Sequence, residues 1–570
     1  MLILSIHAGP HDSAAALFDD YRVLAAVAEE RLNRRKGSGG FPTQAVGEVL
    51  RIAGAARREV DVVVATRGLY ARRYYSHWRP HERLREEFRH AIGREKSAYV
   101  TEMMRKRGCR HASEVFRPHA LLADLGVRSD IPLFFSNHHF SHALPSLFFT
   151  DWEAALLYTA DGAGDDVYYS HYLFRDGALA NLYGDDRWLG ASHPSGSLAR
   201  AYAQMTEALG WKSNRHEGKL TGLAAYGAPT LLPEMQRHFA ISDDGRIMMD
   251  FPDHAAMARR FASLGERETR ENAAASVQAL LEWGIHGALS RLLDRHPVRR
   301  LGLAGGAFAN VRLNRLLAET LPIDEVFIVP PMGDEGLVIG GALQFLLARD
   351  GLSAWLDQRR RLDDVCWGGA HDDALTRLFA ATPGVVRRDG DPVALTAACL
   401  DKGWIGALYQ GRMEFGPRAL GARSILASPA DAEVNAVLNQ RLERSEFMPF
   451  APVVAEDDAA AVFDIGPVNR YAARFMTICC AVREEWRRRI PAVVHIDSSA
   501  RPQIVRRATN PLYFDILAEF KARTGLPALV NTSFNVHEEP IVNRPEECLR
   551  ALVEGRVDFV TAADAVWARA

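Results

Sequence analysis

The sequence predicts an α/β protein in two parts, a duplicated N-terminal unit followed by a separate C-terminal α/β unit. Three observations carry that reading. LILSIH, AGPHDS, AAALFDD and YRVLAAVAEERL, from residue 2 to 32, alternate as apolar strand, loop, strand, and a turn leading into a third strand. AALLYTA, DGAGDD, VYYSHYLF, RDG and ALANLY, from 154 to 183, repeat that order with an acidic, glycine-bearing loop. Between 347 and 373, LARDGLSAWLDQRRRLDDVCWGGAHDD breaks the pattern with charges and glycines, which places a domain boundary there.

The elements between follow from periodicity and punctuation. SLARAYAQMTEALGW (197–211) and ASVQALLEWGIHGALSRLLDRH (275–296) read as helices. RRLGLAGGAFANVRLNRLLAET reads as a buried strand, the paired glycines Gly305 and Gly306, and a helix starting near Asn310. Such glycines allow either close backbone approach to a phosphate at a helix N-terminus or a tight turn at positive φ. In VPPMGDEGLVIGGALQF the prolines end a strand, and Asp334 and Glu335 precede a helix of small residues.

The C-terminal unit is dense in motifs. GWIGALYQGRMEFGPRALGARSILASP (403–429) runs from a strand into a loop holding Arg412, Glu414, Arg418 and Arg423. Arginines among glycines are poor core material and suit an oxyanion, with surface ion pairing as the alternative. VVHIDSSARPQIV carries Arg501 after a strand, and GLPALVNTSFNVHEEPIV carries Asn531, Thr532, Ser533 and Asn535 after another. Polar groups at strand ends are where α/β sheets bind ligands.

Composition limits the function classes. With 570 residues, 48% hydrophobic, the chain can bury a large core. A net charge of −2 gives no basic excess for a phosphate backbone, so no nucleic-acid partner is expected. Six scattered cysteines without CxxC spacing indicate neither a disulfide framework nor a zinc ribbon. No apolar run approaches a membrane span, and MLILSIHAGPHD lacks the features of a signal peptide, so the cytoplasm and no membrane partner are expected.

Three histidine pairs are spaced four apart, against about 0.7 expected by chance from 20 histidines in 570 residues. His7/His11 straddle Gly9 and Pro10, and His77/His81 straddle Pro80, so neither is expected on a continuous helix. His138/His142, in SNHHFSHALP, can share a helix face capped by Ser136 or Asn137, although Pro145 should kink or shorten that helix. The spacing fits two metal ligands or a hydrogen-bonded structural pair.

In order along the chain, IHAGPHDSAAALFDD, the His138/His142 pair, TADGAGD, EGKLTGLAAYG, GGAFANVRLN, PPMGDEG, EFGPRALGARSIL, PFAP, ARPQ and VNTSFN resemble the O-carbamoyltransferases related to the nodulation and cephalosporin enzymes. The resemblance covers nearly the whole chain. It implies a duplicated actin-like ATPase (Kae1-like) domain over 1–355, which transfers a carbamoyl group, and a YrdC-like α/β domain over 356–570, which forms carbamoyl adenylate from carbamoyl phosphate and ATP. The acceptor would be a hydroxyl-bearing small molecule. Carried onto matching positions, the resemblance implies a divalent metal, expected to be Fe2+, on His138, His142, Asp161 and Asp334. It implies catalysis by His11, the natural general base, with Asp12. Lys36, Lys219, Gly305, Gly306 and Asn310 would lie near the nucleotide phosphates, and Arg418, Arg423, Arg501 and Ser533 in the carbamoyl phosphate and ATP pocket. Mg2+ would accompany ATP.

One stretch departs from the family pattern. Where relatives read K-x-R-E-x-x-R-P-F-A-P, this chain has LERSEFMPFAP, with Leu442, Ser445 and Met448 replacing Lys, Glu and Arg. Either Arg441 and Arg444 take over, or the donor binds differently. The rival readings are threonylcarbamoyl transfer to transfer RNA, an actin-like-fold sugar kinase and a nucleotide-dependent switch. The net charge speaks against the first, and the arginine-rich second domain is unexplained by the second. Tyr70, Tyr74, Tyr75 and Trp78 could stack on an acceptor, with packing as the alternative.

Overall fold

The computed structural model describes residues 1–76, 78–188, 196–444, 448–562 and 564–570. His77 of the second histidine pair and Ser445 of the divergent motif lie outside them. Two compact units result, and they interleave along the chain: residues 1–197, 301–307 and 331–362 form one, and 198–300, 308–330 and 363–570 the other.

The first unit contains the expected duplication. Strands β1 (Leu2–His7), β2 (Ala14–Asp19), β3 (Arg22–Ala28), β4 (Val62–Thr66) and β5 (Leu133–Ser136) form a sheet of order β3-β2-β1-β4-β5. Strands β6 (Ala155–Gly164), β7 (Val167–Arg175), β8 (Ala178–Tyr183) and β9 (Arg300–Ala304) repeat the first four places as β8-β7-β6-β9. In both copies the first strand pairs antiparallel with its hairpin partner and parallel with the strand beyond.

The hairpin turns follow their residues. Asp176 and Gly177 both take positive φ, 54° and 69°, the type I′ geometry that suits strand twist. The acidic stretch 161–166 is less of a loop than its composition suggests. β6 continues to Gly164 with a register shift after Ala160, and only Asp165 and Asp166, at φ 49° and 65°, make the turn. The bulge lets Asp161 leave the sheet while the strand goes on.

Helix α1 (His138–Phe148) follows β5, and its N-cap Asn137 accepts a bond from the Phe140 N–H at 2.8 Å, a cap worth about 1 kcal/mol. Pro145 does not end it: the helix runs on, with the Phe149 N–H bonded to the Pro145 carbonyl at 3.0 Å. What Pro145 removes is the N–H that would have met the Ser141 carbonyl. Helix α2 (Leu337–Leu356, bent at Gly351) packs against that turn, and a β-carbon at Gly340 would stand only 1.6 Å from the Ser141 oxygen. Only glycine permits this approach. Among the described residues α2, with the turn preceding it, is the one helix long and apolar enough to cross a membrane, at mean hydropathy 1.2. Its packing on α1, β1 and β4 makes it a core helix of this unit.

In the second unit an eight-stranded mixed sheet spans the C-terminal part. Its strands are β10 (Val385–Arg388), β11 (Gly406–Tyr409), β12 (Arg423–Ala427), β13 (Ala451–Ala455), β14 (Gln503–Val505), β15 (Ala528–Ser533), β16 (Phe559–Thr561) and β17 (Val566–Arg569). The order is β10-β17-β16-β11-β12-β15-β13-β14. The predicted helices are present as Leu198–Ala208 and Arg270–Arg295, and Asn310 caps the helix Val311–Thr320. The cysteines are free, as their spacing suggested. Tyr70 and Tyr75 are buried edge-on against Phe116, so packing is their role.

Candidate active site

In the first unit the two imidazoles of α1 meet two carboxylates. α1 projects His138 and His142 from one face, the bulge in β6 projects Asp161, and the turn before α2 projects Asp334. His142 Nε2 lies 3.1 Å from Asp161 Oδ2 and 3.5 Å from Asp334 Oδ1. His138 Nε2 lies 3.6 Å from Asp161 Oδ2 and 3.7 Å from Asp334 Oδ1, and it has no hydrogen-bond partner. One donor atom from each residue falls within 4.8 Å of every other. Donors bonded to one ion at about 2.0–2.2 Å stand about 3–4 Å apart, so the set fits a divalent cation.

The surroundings hold these groups in place. Gly164 seats His138, since a β-carbon there would stand 2.1 Å from the ring. Asp165 Oδ2 accepts the His138 N–H at 2.8 Å, and Arg67 pairs with Asp165 and Asp186. Gly305, at φ 99°, makes the turn after β9, and the Gly306 N–H lies 3.5 Å from Asp161 Oδ2. The glycines thus serve a turn whose next amide faces a carboxylate.

The charges are strongly coupled. Burial alone would raise both carboxyls, but the imidazoles of His138 and His142 hold Asp161 and Asp334 below the usual range. The same pairing outweighs burial at His142 and pushes it up to about 9. His139, bonded to Thr159 and the Val167 carbonyl and fully buried, is pushed down to about 3 by burial.

His11 and Asp12 occupy the β1–β2 loop, with His11 Nδ1 2.9 Å from Asp12 Oδ2. Backbone bonds from Ser13 to Ser38 and from Gly40 to Gly9 pin the segment after Lys36 to this loop. Burial opposes the charged ring, but the Asp12 hydrogen bond and the charges of Asp334 and Asp161 outweigh it and push His11 up to about 10. The sequence placed Glu335 only beside Asp334 at the start of a helix, with no role of its own. Burial and the neighbouring charges of Asp12, Glu30 and Asp334 push it up to about 8.

In the second unit, buried amides tie three motif segments together. Asn531 Nδ2 donates to Gln503 Oε1 at 2.6 Å and to the Ala419 carbonyl at 3.1 Å, while Gln503 Nε2 donates to the Leu420 carbonyl at 2.8 Å. The segments carrying Arg418, Arg501 and Ser533 therefore converge. The arginines of the loop differ in use. Arg412 donates to the Gly368 and Trp367 carbonyls. Arg423 is the first residue of β12, fully buried, and donates to the carbonyls of Gln410, Ala422, Gly411 and Gly369 at 2.8–3.4 Å, with its carbon over the Tyr409 ring. This overturns the expectation of a loop arginine unsuited to a core. Glu414 complements it by accepting the N–H groups of Leu420, Ala422 and Arg423. Arg418 donates from Nη2 to the Ala309 carbonyl at 3.3 Å.

Arg444 grips the end of β15, donating to Thr532 Oγ1, to Ser533 through its carbonyl and Oγ, and to Asn535 at 2.7–3.1 Å. Arg441 instead pairs with Asp558 at 2.9 Å, and Leu442 is buried. Met448 lines a cavity of about 30 Å³ with Thr221, Arg312, Arg315, Cys479 and His495. Asn310 Nδ2 bonds Gln278 Oε1 at 2.7 Å and Thr221 Oγ1 at 3.4 Å, which sets it beside the helix Glu217–Leu223 that carries buried Lys219.

His495 is pushed down to about 4 by burial and by Arg501 and Arg315 against the pull of Asp497. A depressed histidine contributes stability above the unfolded value of about 6.5 that is lost as pH falls toward 4. His495→Gln should flatten that acid limb in denaturation measured between these pH values.

A second group, His216, His537 and Glu538, also converges. Arg215 and Lys212 close on the same carboxylate at 3.2 and 3.7 Å, so its charge is already balanced.

The first unit carries a duplicated sheet with a buried two-histidine, two-carboxylate centre, and the second an α/β sheet with arginines near its strand ends. The comparisons make the chain a group-transfer enzyme and name the group. A sequence model of the carbamoyltransferase N-terminus matches residues 2–343, and one of the carbamoyltransferase C-terminus matches residues 397–569. The nodulation protein NolNO of Sinorhizobium fredii is 32% identical over 96% of this chain and 77% of its own. NolO of Bradyrhizobium diazoefficiens is 33% identical over 74% and 77%, and an uncharacterized Synechocystis protein 31% over 100% and 96%. Solved structures include a component of (R)-2-hydroxyglutaryl-CoA dehydratase from Acidaminococcus fermentans (TM-score 0.33, 14% identity, 63% of this chain, 99% of that one). HypF of T. kodakarensis aligns at TM-score 0.31 and 12% identity over 62% of this chain and 48% of that one. The chain belongs to the carbamoyltransferase family.

Proposed function

We propose that the protein is an ATP-dependent O-carbamoyltransferase of a small-molecule hydroxyl. The observation that carries this is the match of both carbamoyltransferase models to one chain, in order and over most of its length. In the proposed reaction, carbamoyl phosphate, ATP and water give carbamoyl adenylate, phosphate and pyrophosphate in the YrdC-like part, residues 356–570. The Kae1-like part, residues 1–355, then passes the carbamoyl group to the acceptor oxygen and releases AMP.

Arg418 and Arg501 bind the donor's phosphate oxyanions, and Ser533, presented by Arg444, offers a hydroxyl beside them. Arg423 serves this site by holding the loop in shape. In the first unit Lys36 and the glycine turn of Gly305 and Gly306 are proposed to bind nucleotide phosphate, and in the second Lys219 and Asn310 carry the same proposed role. His138, His142, Asp161 and Asp334 would hold a divalent ion, Fe2+ in this reading, and Mg2+ would accompany ATP. Such an ion supplies polarisation of the carbamoyl oxygen. His11 takes the acceptor's proton once the charge of Asp161 and Asp334 is balanced, since those carboxylates help keep its ring protonated.

The test is pyrophosphate release from ATP without acceptor, for wild type and Arg418→Ala. Carbamoyl phosphate-dependent release that falls by about 10²-fold or more in the variant is expected, as for loss of a charge-assisted contact to a buried oxyanion. Formation of ADP alone would replace the adenylate route with a kinase.

A further inference from the structure

The helix Pro80–Ala91, in the first unit, is amphipathic the wrong way round for a helix that serves a core. Its buried residue is a carboxylate: Glu86 is 2% exposed and pairs with Arg89 at 2.5 Å, and the helix packs against the turn Arg72–Tyr74. Its large apolar residues face out. Leu84 and Phe88, four apart and so on one face, are 71% and 64% exposed, and Ile92, a turn further on at the helix end, is 48% exposed. Glu86 lies on the opposite side of the helix from this stripe. Arg83 and Arg85 flank Leu84 on either side of it, both exposed. Arg79, Arg83, Arg94 and Lys96 are exposed on or beside the helix and make no ion pair among the described residues. The exposed acids of the same segment are already matched, Glu87 by Arg117 at 3.9 Å and Glu95 by Arg73 at 2.8 Å. The outward face is therefore apolar, with unpaired positive charge next to it.

We propose that this helix docks the protein reversibly on an anionic lipid surface, with Leu84, Phe88 and Ile92 entering the headgroup boundary and the unpaired cations meeting lipid phosphate and carboxylate. An exposed apolar stripe flanked by arginines is the pattern by which a helix lies in a membrane interface, the long arginine stems following the apolar surface while their heads stay in water. Binding of this kind needs no spanning segment, so the expectation of no membrane partner, drawn from the lack of a span, does not extend to it. Charge and area both select this occupant. A second copy of the same face would set positive charge against positive charge. Three side chains on a helix of three turns also fall far short of the roughly 20–30 residues a side that a stable protein interface takes. A bilayer demands no matching contour, and each arginine or lysine close to an anionic surface adds about fivefold in affinity. With a net charge of −2 the chain as a whole is not drawn to such a surface, so the attraction is local to this patch.

Flotation of the full chain with vesicles tests this, comparing phosphatidylcholine that holds about 30% phosphatidylserine with phosphatidylcholine alone. Binding to the anionic vesicles is expected, falling about tenfold or more on the neutral ones and in about 0.5 M salt. The double variant Leu84→Ser, Phe88→Ser should lower the partition coefficient about tenfold or more, and Arg83→Ala, Arg94→Ala should lower it to a similar extent on anionic vesicles only. All four side chains are exposed, so both variants should melt at the wild-type temperature and release pyrophosphate at the wild-type rate. Vesicle binding is measured without substrates and stands or falls apart from the carbamoyl transfer reading. No binding to the anionic vesicles, equal binding to both kinds, or binding unchanged in Leu84→Ser, Phe88→Ser would overturn the proposal. So would a wild-type dimer in sedimentation velocity that Leu84→Ser, Phe88→Ser dissolves, because a second copy would then cover the stripe.

Discussion

Asp161→Asn is expected to lower carbamoyl transfer about 10³-fold or more while carbamoyl phosphate-dependent pyrophosphate release continues at the wild-type rate. Asp161 is the hub of the first unit's centre. Its Oδ2 faces His142 at 3.1 Å, His138 at 3.6 Å and the Gly306 amide at 3.5 Å, and its Oδ1 accepts the Gly162 N–H. Asparagine keeps the shape and removes the charge that both imidazoles are set against. Loss of a cation that polarises the reacting oxygen removes several kcal/mol of transition-state stabilisation, and each 1.36 kcal/mol is about tenfold. Transfer would be read by mass spectrometry as O-carbamate on an acceptor that the wild type modifies, with pyrophosphate and bound metal measured on the same samples. Retained transfer would remove the centre from the chemistry. Simultaneous loss of pyrophosphate release would show that the two half-reactions are not divided as proposed.

Arg423→Ala should be the most damaging substitution for the second unit's stability, costing roughly 3–5 kcal/mol. It strips a fully buried guanidinium from four carbonyls and from the Tyr409 ring. Arg423→Lys should recover little, because an ammonium cannot copy the planar fork. Urea denaturation gives the stability change, and hydrogen exchange across 406–427 shows whether the loop loosens. A variant that folds as firmly as wild type yet no longer releases pyrophosphate would return Arg423 to the donor pocket.

The duplicated hairpins were legible because alternation and turn residues are local signals, and Asp176-Gly177 sits where a two-residue turn requires it. The His138/His142 pair was legible for the same reason, with an asparagine cap in front. Asp161 and Asp334 were not, since nothing local links residues 173 positions apart; motif resemblance supplied them. Arg423 was misread because composition cannot distinguish an arginine facing solvent from one facing carbonyls. Pro145 stands inside the helix, three residues before its end, and its missing N–H is tolerated where a neighbouring helix presses on the freed carbonyl. Gln503 closes the ARPQ motif and Arg444 lies in the divergent one, but the partners of both were illegible, because their roles are defined by what folds beside them.

The close approach of α2 to α1 has a consequence for engineering. Any library meant to widen the range of acceptors has to treat residue 340 as closed, because every side chain there enters the Ser141 carbonyl and shifts the helix that aims both histidines. Residue 164 is closed for the same reason, through the ring of His138. Exposed positions such as Leu84 and Phe88 stay open to diversity where this centre is concerned, on the helix Pro80–Ala91, which contributes none of the four donors.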